Sequence, residues 1–152
     1  MEPLMQALLF LSQAIGNEIV FCIILGAMVL LTEKRPQKRK KIVLAILITF
    51  LMVLLLKNIF AVERPCIAGG DGCPDLFFPD YSFPSGHAAM AFIVMIAFLD
   101  KPSFPFFWLF AFLVSFSRLL LGVHTFEDIA ASLVLAPISY SLTDFVWRRY
   151  LE

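Results

Sequence analysis

The sequence predicts an all-α bundle of five or six transmembrane helices. Hydrophobic residues make up 61% of the 152 residues and charged residues 16%, whereas soluble domains average roughly 45–50% and about 25%. The mean hydropathy is +0.88. Several apolar stretches approach the roughly 20 residues that a helix needs to cross the hydrocarbon core. We therefore expect one integral membrane domain over residues 1–152, and the net charge of zero does not indicate a nucleic-acid partner.

Four apolar stretches are long enough to span a bilayer with modest adjustment of their ends, and a fifth is shorter. The four lie at about 16–32, 41–60, 103–122 and 126–147, and the fifth at about 85–100. Near the start of the chain, the run from Leu4 to Leu11 is too short to span. We expect it to form an interfacial or re-entrant helix that continues toward the first span. Six short spans are the alternative topology.

The distribution of charge predicts the orientation of these spans. Six of the twelve basic residues lie between Lys34 and Lys41, and the positive-inside rule places such a short loop in the cytoplasm. The turn at 100–102 and the pair Arg148–Arg149 are expected on the same side. The long loop at about 58–83 carries mainly acidic charge and is expected outside. A nucleic-acid role for the basic run is disfavoured because long apolar stretches flank it on both sides.

Polar clusters interrupt the apolar sequence at three span ends. They contain both histidines of the chain and comprise Lys57 and Arg64-Pro65, then Pro84-Ser85-Gly86-His87, then Ser117-Arg118 with His124 and Asp128. The predicted orientation brings all three clusters to the external face. Polar groups kept beside hydrocarbon are costly, so they mark functional sites by default.

The residue types in these clusters suit the hydrolysis of a phosphate ester. Basic side chains can neutralise the phosphoryl oxygens, and Lys57 and Arg64 would share a helix face if the helix continued through both. The free N–H groups of Ser85, Gly86 and His87 at the start of an apolar helix would form an anion site.

A histidine and an aspartate four positions apart complete the third cluster. If the chain between them is helical, the Asp128 carboxylate would reach one ring nitrogen of His124 and leave the other nitrogen free to attack phosphorus. Thr125 is the expected N-cap of the last span. A pair of metal ligands or a buried hydrogen-bonded pair are the alternative interpretations of these two residues.

Two cysteines, Cys66 and Cys73, bracket a glycine-rich part of the loop predicted to be external. A disulfide between them is expected if the loop faces an oxidising compartment. A zinc site is the alternative, but no histidine lies nearby in the sequence. Cys22 lies within a predicted span.

Together the three clusters resemble, in order and spacing, the signature of the type 2 phosphatidic acid phosphatase (PAP2) family. The resemblance implies a PAP2-like helix bundle in which His124 is the nucleophile that forms a phosphohistidine, Asp128 orients it, and His87 is the acid for the leaving group. It also implies a phosphate-binding cradle formed by Lys57, Arg64, Ser85, Gly86 and Arg118. No metal and no cofactor are expected.

The resemblance implies a lipid phosphatase or diphosphatase in the plasma (inner) membrane, with its active site on the external or periplasmic side. The expected partners are a lipid phosphate substrate and membrane lipids, without nucleic acid, and the oligomeric state is left open. Phosphatidylglycerol phosphate, undecaprenyl diphosphate and lipid A 1-phosphate are the named substrates. A protein that binds or transports lipid phosphates without cleaving them is the alternative. A vanadate-dependent haloperoxidase, whose active site is similar, is disfavoured because those enzymes are soluble.

Overall fold

The computed structural model describes residues 3–68, 73 and 81–151, with the backbone alone at 3–5, 8, 67 and 68. Among these residues the chain forms helices and no strands. The helices are α1 (Pro3–Gly16), α2 (Glu18–Thr32), α3 (Pro36–Phe60), α4 (Pro65–Ala68), α5 (Gly86–Ala97), α6 (Phe104–Leu120) and α7 (Phe126–Tyr150). The predicted all-α class is confirmed. Three acidic residues of the predicted external loop lie outside the described residues: Asp71, Asp75 and Asp80.

Each of the five predicted spans contains one helix, but the helices differ in length. In the described part of the chain, α3 and α7 are each 25 residues long and apolar enough to cross a membrane. The helices α5 and α6 are apolar but shorter, with 12 and 17 residues. The helix α2 meets the same length criterion only together with the second half of α1, from which it is bent by 80°.

The bend between α1 and α2 begins at the residue that caps α2. The Asn17 side chain accepts hydrogen bonds from the backbone N–H groups of Ile19 and Val20, at 3.1 and 3.2 Å. These bonds satisfy two of the free donors at the start of a helix. The corner therefore directs α1 away from the α2 axis, and α1 packs against α6.

The short helix α5 lies at the centre of the bundle, where it contacts α2, α3, α6 and α7. Every side chain from Ala88 to Val94 is buried. At about 1.5 Å per residue, twelve residues cover roughly 18 Å, less than the hydrocarbon thickness. Because protein surrounds α5, its ends need not reach the membrane surface to satisfy their backbone groups.

Buried hydroxyl groups inside the bundle bond to their own helix. Thr49, Ser115, Ser139 and Thr143 each donate to the backbone carbonyl four residues earlier, at 2.8 or 2.9 Å. An unsatisfied hydroxyl group would be costly at this depth. These residues therefore add small polar side chains to the interior without leaving donors unpaired.

One end of the bundle, called here the basic end, comprises residues 32–41, 98–103 and 144–150. The buried Glu33 carboxylate accepts hydrogen bonds from the backbone N and the Nε of Arg35, at 3.0 and 3.1 Å. Asp144 of α7 pairs with Lys41 of α3 and, at 2.7 Å, with Arg148. Of these pairs, Lys41–Asp144 connects two helices across 103 positions of sequence.

Candidate active site

The three polar clusters of the sequence meet at the other end of the bundle, called here the site end, which comprises residues 57–64, 81–87 and 117–128. It is built from the end of α3, the start of α5, the end of α6 and the start of α7. Five of its ionisable side chains are almost completely buried: Lys57 5%, Arg64 6%, Arg118 4%, His124 5% and Asp128 2% exposed.

The turn that follows α6 places His124. Gly122 has φ 64°, and its N–H donates to the Leu119 carbonyl at 3.0 Å, while the Val123 N–H donates to the Arg118 carbonyl at 3.3 Å. This pair of bonds, with a glycine in the left-handed region, is a Schellman motif, which ends a helix and reverses the chain. His124 therefore lies just beyond α6 and just before α7.

The start of α7 holds Asp128 in a fixed position. The Thr125 hydroxyl oxygen accepts from the Asp128 N–H at 3.3 Å, and the Asp128 carboxylate accepts from the Thr125 N–H at 2.8 Å. This reciprocal arrangement is a capping box. Thr125 is thus the N-cap that the sequence predicts. The Asp128 carboxylate both caps α7 and contacts the His124 ring.

The His124 ring lies between a carboxylate and a guanidinium group. Its Nδ1 is 3.2 Å from the Asp128 Oδ2, and its Nε2 is 3.3 Å from the Arg64 Nη1. A guanidinium group can only donate, so Nε2 is the acceptor and the ring proton of the neutral imidazole lies on Nδ1, facing the carboxylate. The contacts therefore select the tautomer whose Nε2 carries the free electron pair.

The surroundings of His124 favour its neutral form. Burial lowers the pKa of the His124 imidazole below its ordinary value, and the nearby charges of Arg64 and Lys57 lower it further. The hydrogen bond and the negative charge of Asp128 act in the opposite direction, and the net pKa is lowered. At neutral pH the imidazole is therefore uncharged.

The end of α3 differs from the expectation that Lys57 and Arg64 share a helix face. The helix stops at Phe60, and Ala61 has φ 47° and ψ 40°, in the left-handed region. Arg64 therefore lies in the segment after the helix. Its Nη1 also donates to the Val123 carbonyl at 3.3 Å, while the Lys57 ammonium donates to the Tyr81 carbonyl.

The start of α5 also differs in part from the expectation of three free N–H groups. Ser85 is the N-cap, and its N–H donates to the Asp128 carbonyl at 3.3 Å. The Ser85 hydroxyl is buried and has no hydrogen-bond partner among the described residues. At Gly86 an added Cβ would have one neighbour at 3.8 Å, an ordinary van der Waals distance, so the protein's own packing does not require a glycine there.

The remaining predicted residues occupy the same end. The His87 ring lies in the first turn of α5 and packs against the Phe21 ring, with centroids 4.6 Å apart. Arg118 lies in the last turn of α6, close enough to Arg64 for their charges to interact, and its Nε donates to the Ser117 hydroxyl at 3.2 Å. The structure brings His124 into direct contact with Arg64 and Asp128, whereas His87 contacts α2 and Arg118 contacts α1.

Two serines join this network although the sequence did not single them out. The buried Ser82 hydroxyl donates to the Asp128 carboxylate and lies 3.4 Å from the His124 Nδ1. The Ser132 hydroxyl is 2.9 Å from the Ser85 carbonyl and 2.7 Å from the Asp128 carbonyl, which connects α7 to the start of α5. Ser132 lies four residues after Asp128 in α7, so its helical spacing could have indicated that it lies near Asp128. No local sequence pattern indicates a role for Ser82.

Cys66 and Cys73 are joined by a disulfide, and the exposed Cys22 is a free thiol. Cys66 lies two residues after Arg64. The disulfide therefore constrains the segment that leaves the site end.

Residues 38–149 match the model of the PAP2 superfamily. Sphingosine-1-phosphate phosphatase 2 of Mus musculus is 25% identical over 122 residues, which cover 74% of this chain and 34% of that protein. This chain therefore spans about a third of the length of that relative.

Two solved structures share the fold. The crystal structure of Aquifex aeolicus LpxE has a TM-score of 0.72 and 28% identity, covering 95% of this chain and 88% of that one. A transmembrane PAP2-type phosphatidylglycerolphosphate phosphatase from Bacillus subtilis has a TM-score of 0.63 and 21% identity, covering 99% and 80%. Because the family model covers most of the chain, including every residue of the three polar clusters, the protein belongs to the PAP2 superfamily.

Proposed function

We propose that this protein is a lipid phosphatase that cleaves a phosphate monoester or diphosphate through a phosphohistidine at His124. The observation that carries the proposal is the position of the His124 ring between Asp128 and Arg64. This geometry leaves a basic nitrogen beside a cation that can hold the phosphoryl group, which nucleophilic catalysis of phosphoryl transfer requires.

In the first step, the electron pair of the His124 Nε2 forms a bond to phosphorus and the bond from phosphorus to the leaving oxygen breaks. The proton on Nδ1 stays on the ring, where Asp128 stabilises the positive charge that develops. His87 gives a proton to the leaving oxygen. In the second step, water attacks phosphorus, His87 takes a proton from this water, and the P–N bond breaks to restore the neutral His124.

The basic side chains and the start of α5 form the proposed cradle. Arg64 would transfer its Nη1 hydrogen bond from the His124 Nε2 to a phosphoryl oxygen when a substrate enters, which frees the electron pair at the moment it is needed. Arg118 and Lys57 would hold further oxygens, and the Ser85 hydroxyl, with no partner among the described residues, would donate to another. Donors fixed where charge develops stabilise the transition state most effectively.

The proposed substrate is a lipid phosphate that enters from the membrane. The position of the three polar clusters at one end of the bundle supports this substrate class, because a lipid could keep its chains in the bilayer and offer its phosphate laterally. Phosphatidylglycerol phosphate, undecaprenyl diphosphate and lipid A 1-phosphate are the proposed substrates to compare, and bilayer lipids are the surrounding partners.

The site end is proposed to face the outside of the plasma membrane, because the opposite end carries the basic loop 34–41. Single cysteines introduced at position 38 and at position 62, in a background without native thiols, would test this orientation. An impermeant thiol reagent applied to intact cells is expected to label position 62 alone. Labelling of position 38 under these conditions would contradict the proposed orientation and indicate the opposite one.

A panel assay tests the catalytic proposal. Purified protein in detergent is expected to release inorganic phosphate from at least one of the lipid phosphates, and His124→Ala is expected to release none. Binding of these lipids without release of phosphate would instead support the alternative function, a protein that binds or transports lipid phosphates.

A second experiment tests the assignment of the two histidines. With a substrate whose leaving group needs no proton, His87→Ala is expected to complete the first step and to stall at the second. The phosphoenzyme should then accumulate, should be labile in acid and stable in alkali, and should be missing from His124→Ala. An acid-stable phosphoserine at Ser85 would contradict the assignment.

A further inference from the structure

Arg118 connects the site end to α1, a helix that the three polar clusters do not include. Its Nη2 donates to the Ser12 carbonyl at 2.9 Å, across 106 positions of sequence. Both Ser12 and Arg118 are buried. The α1 backbone therefore fixes one edge of a guanidinium group that the proposed function places on the phosphate.

The space beside this guanidinium group exists because residue 16 is a glycine. A Cβ on Gly16 would lie 2.6 Å from the Arg118 Nη2, 2.9 Å from Nη1 and 3.2 Å from Cζ. Gly26, in α2, offers a contrast, since a Cβ there would have no neighbour within 4 Å among the described residues. The observed position of Arg118 therefore requires a glycine at residue 16, whereas an added Cβ at residue 26 would contact no described residue within 4 Å.

The α1–α2 corner holds these two features in place. Gly16 is the last residue of α1, and Asn17 follows it as the N-cap of α2. The 80° bend at this corner lays α1 against α6, the helix that carries Arg118. A straight continuation of α2 would carry the Ser12 carbonyl away from the bundle.

We propose that the α1–α2 corner is a positioning element for Arg118, in which Gly16 leaves room for the guanidinium group and the Ser12 carbonyl sets its direction. The inference rests on the proposed function in that Arg118 there contacts the phosphate. A guanidinium group has five N–H donors, and the contacts with Ser12 and Ser117 use one on Nη2 and the one on Nε. The Nη1 side can still donate to a phosphoryl oxygen.

Gly16→Ala tests this role directly. The atoms that the new methyl group would meet are the far end of a flexible side chain, so the protein can fold by displacing the guanidinium group. Misplacement of a catalytic contact by about 1 Å can lower rates about a hundredfold, so kcat/KM is expected to fall roughly ten- to a hundredfold, mostly in kcat. Gly26→Ala is the matched control, with unchanged kinetics expected.

A double-mutant cycle with Arg118→Ala separates positioning from a general loss of structure. If Gly16 acts through Arg118, Gly16→Ala is expected to cause no further loss once the guanidinium group has been removed. An equal fold-loss in both backgrounds, or wild-type kinetics for Gly16→Ala alone, would overturn the proposal. If Gly16→Ala alone does not fold, recovery of folding in the double variant supports the collision with Arg118, and failure to recover refutes it.

Binding of orthovanadate, measured by calorimetry, gives a readout that does not depend on turnover. Gly16→Ala is expected to bind this phosphate-like oxyanion about tenfold more weakly than the wild type, since charge-assisted hydrogen bonds contribute at about this level. Equal affinity would overturn the positioning role. If the wild type releases phosphate from no lipid but vanadate affinity still depends on Gly16, the positioning role is supported and the proposed catalysis fails.

Discussion

The two ends of the bundle both concentrate basic side chains, but they hold them in different ways. At the basic end, the side chains of Arg35, Lys41 and Arg148 are 55%, 22% and 71% exposed, and each pairs with a carboxylate of Glu33 or Asp144. At the site end, the cations are almost completely buried.

This difference in burial predicts which basic side chains act on the substrate. Exposed ion pairs typically contribute at most about 1 kcal/mol to stability. Burying a cation is costly, so a fold that buries several of them beside a histidine is expected to use them on a ligand. Replacing a cation should therefore affect activity at the site end and leave it unchanged at the basic end.

The largest effect is expected when the arginines of the site end are replaced with alanine. Arg64→Ala and Arg118→Ala are each expected to lower kcat by about 10²–10³-fold, as the loss of one transition-state contact typically does. Arg35→Ala, the matched control, should keep wild-type turnover. Phosphate release under saturating lipid measures all three, and a site-end variant that keeps more than about a third of wild-type turnover would exclude that arginine from the cradle.

Ser82→Ala is expected to have a smaller effect, about ten- to a hundredfold in kcat, because a hydrogen bond to a charged group contributes about 1.5–3 kcal/mol. The lost hydroxyl group contacts the Asp128 carboxylate, so KM should change little. Ser141→Ala is the matched control, since its exposed hydroxyl donates only to the Pro137 carbonyl among the described residues. A rise in KM with unchanged kcat would place Ser82 on the substrate instead.

The pH dependence tests the environment of His124. A protonated imidazole cannot attack phosphorus, and the folded pKa of His124 lies below its ordinary 6.5. The acid limb of kcat/KM is therefore expected below about pH 6.5. Lys57→Gln removes a charge that lowers this pKa, so the limb should move to higher pH. A wild-type limb above pH 6.5 would contradict the assignment.

The smallest effect is expected at the basic end. The hydrogen bond from the Arg35 side chain lowers the pKa of Glu33 to about 2. A carboxyl group with a lowered folded pKa contributes stability above its ordinary pKa, near 4.5, and loses it as the pH falls toward 2. Glu33→Gln should remove this dependence in thermal unfolding and leave kcat unchanged at neutral pH. A fall in kcat would contradict this prediction and show that the basic end affects catalysis at the site end.

Much of the fold and of the site could be predicted from local patterns. The lengths of the apolar stretches located the helices α2, α3, α5, α6 and α7, because the bilayer sets a minimum apolar length. The capping role of Thr125 followed from a hydroxyl residue directly before an apolar run. These features depend on neighbours within a few residues, which the sequence displays directly.

The sequence alone determined the helical membrane class, the family and the residues of the three polar clusters. Only the tertiary structure decided which atoms meet: Arg64 with the His124 Nε2, Ser82 with Asp128, and the Ser12 carbonyl with Arg118. Those partners lie 60, 46 and 106 positions apart. Such contacts depend on where α3 stops, at the left-handed Ala61, and on how sharply α1 bends from α2. Both also depend on the packing of helices against each other, which no local pattern of residues specifies.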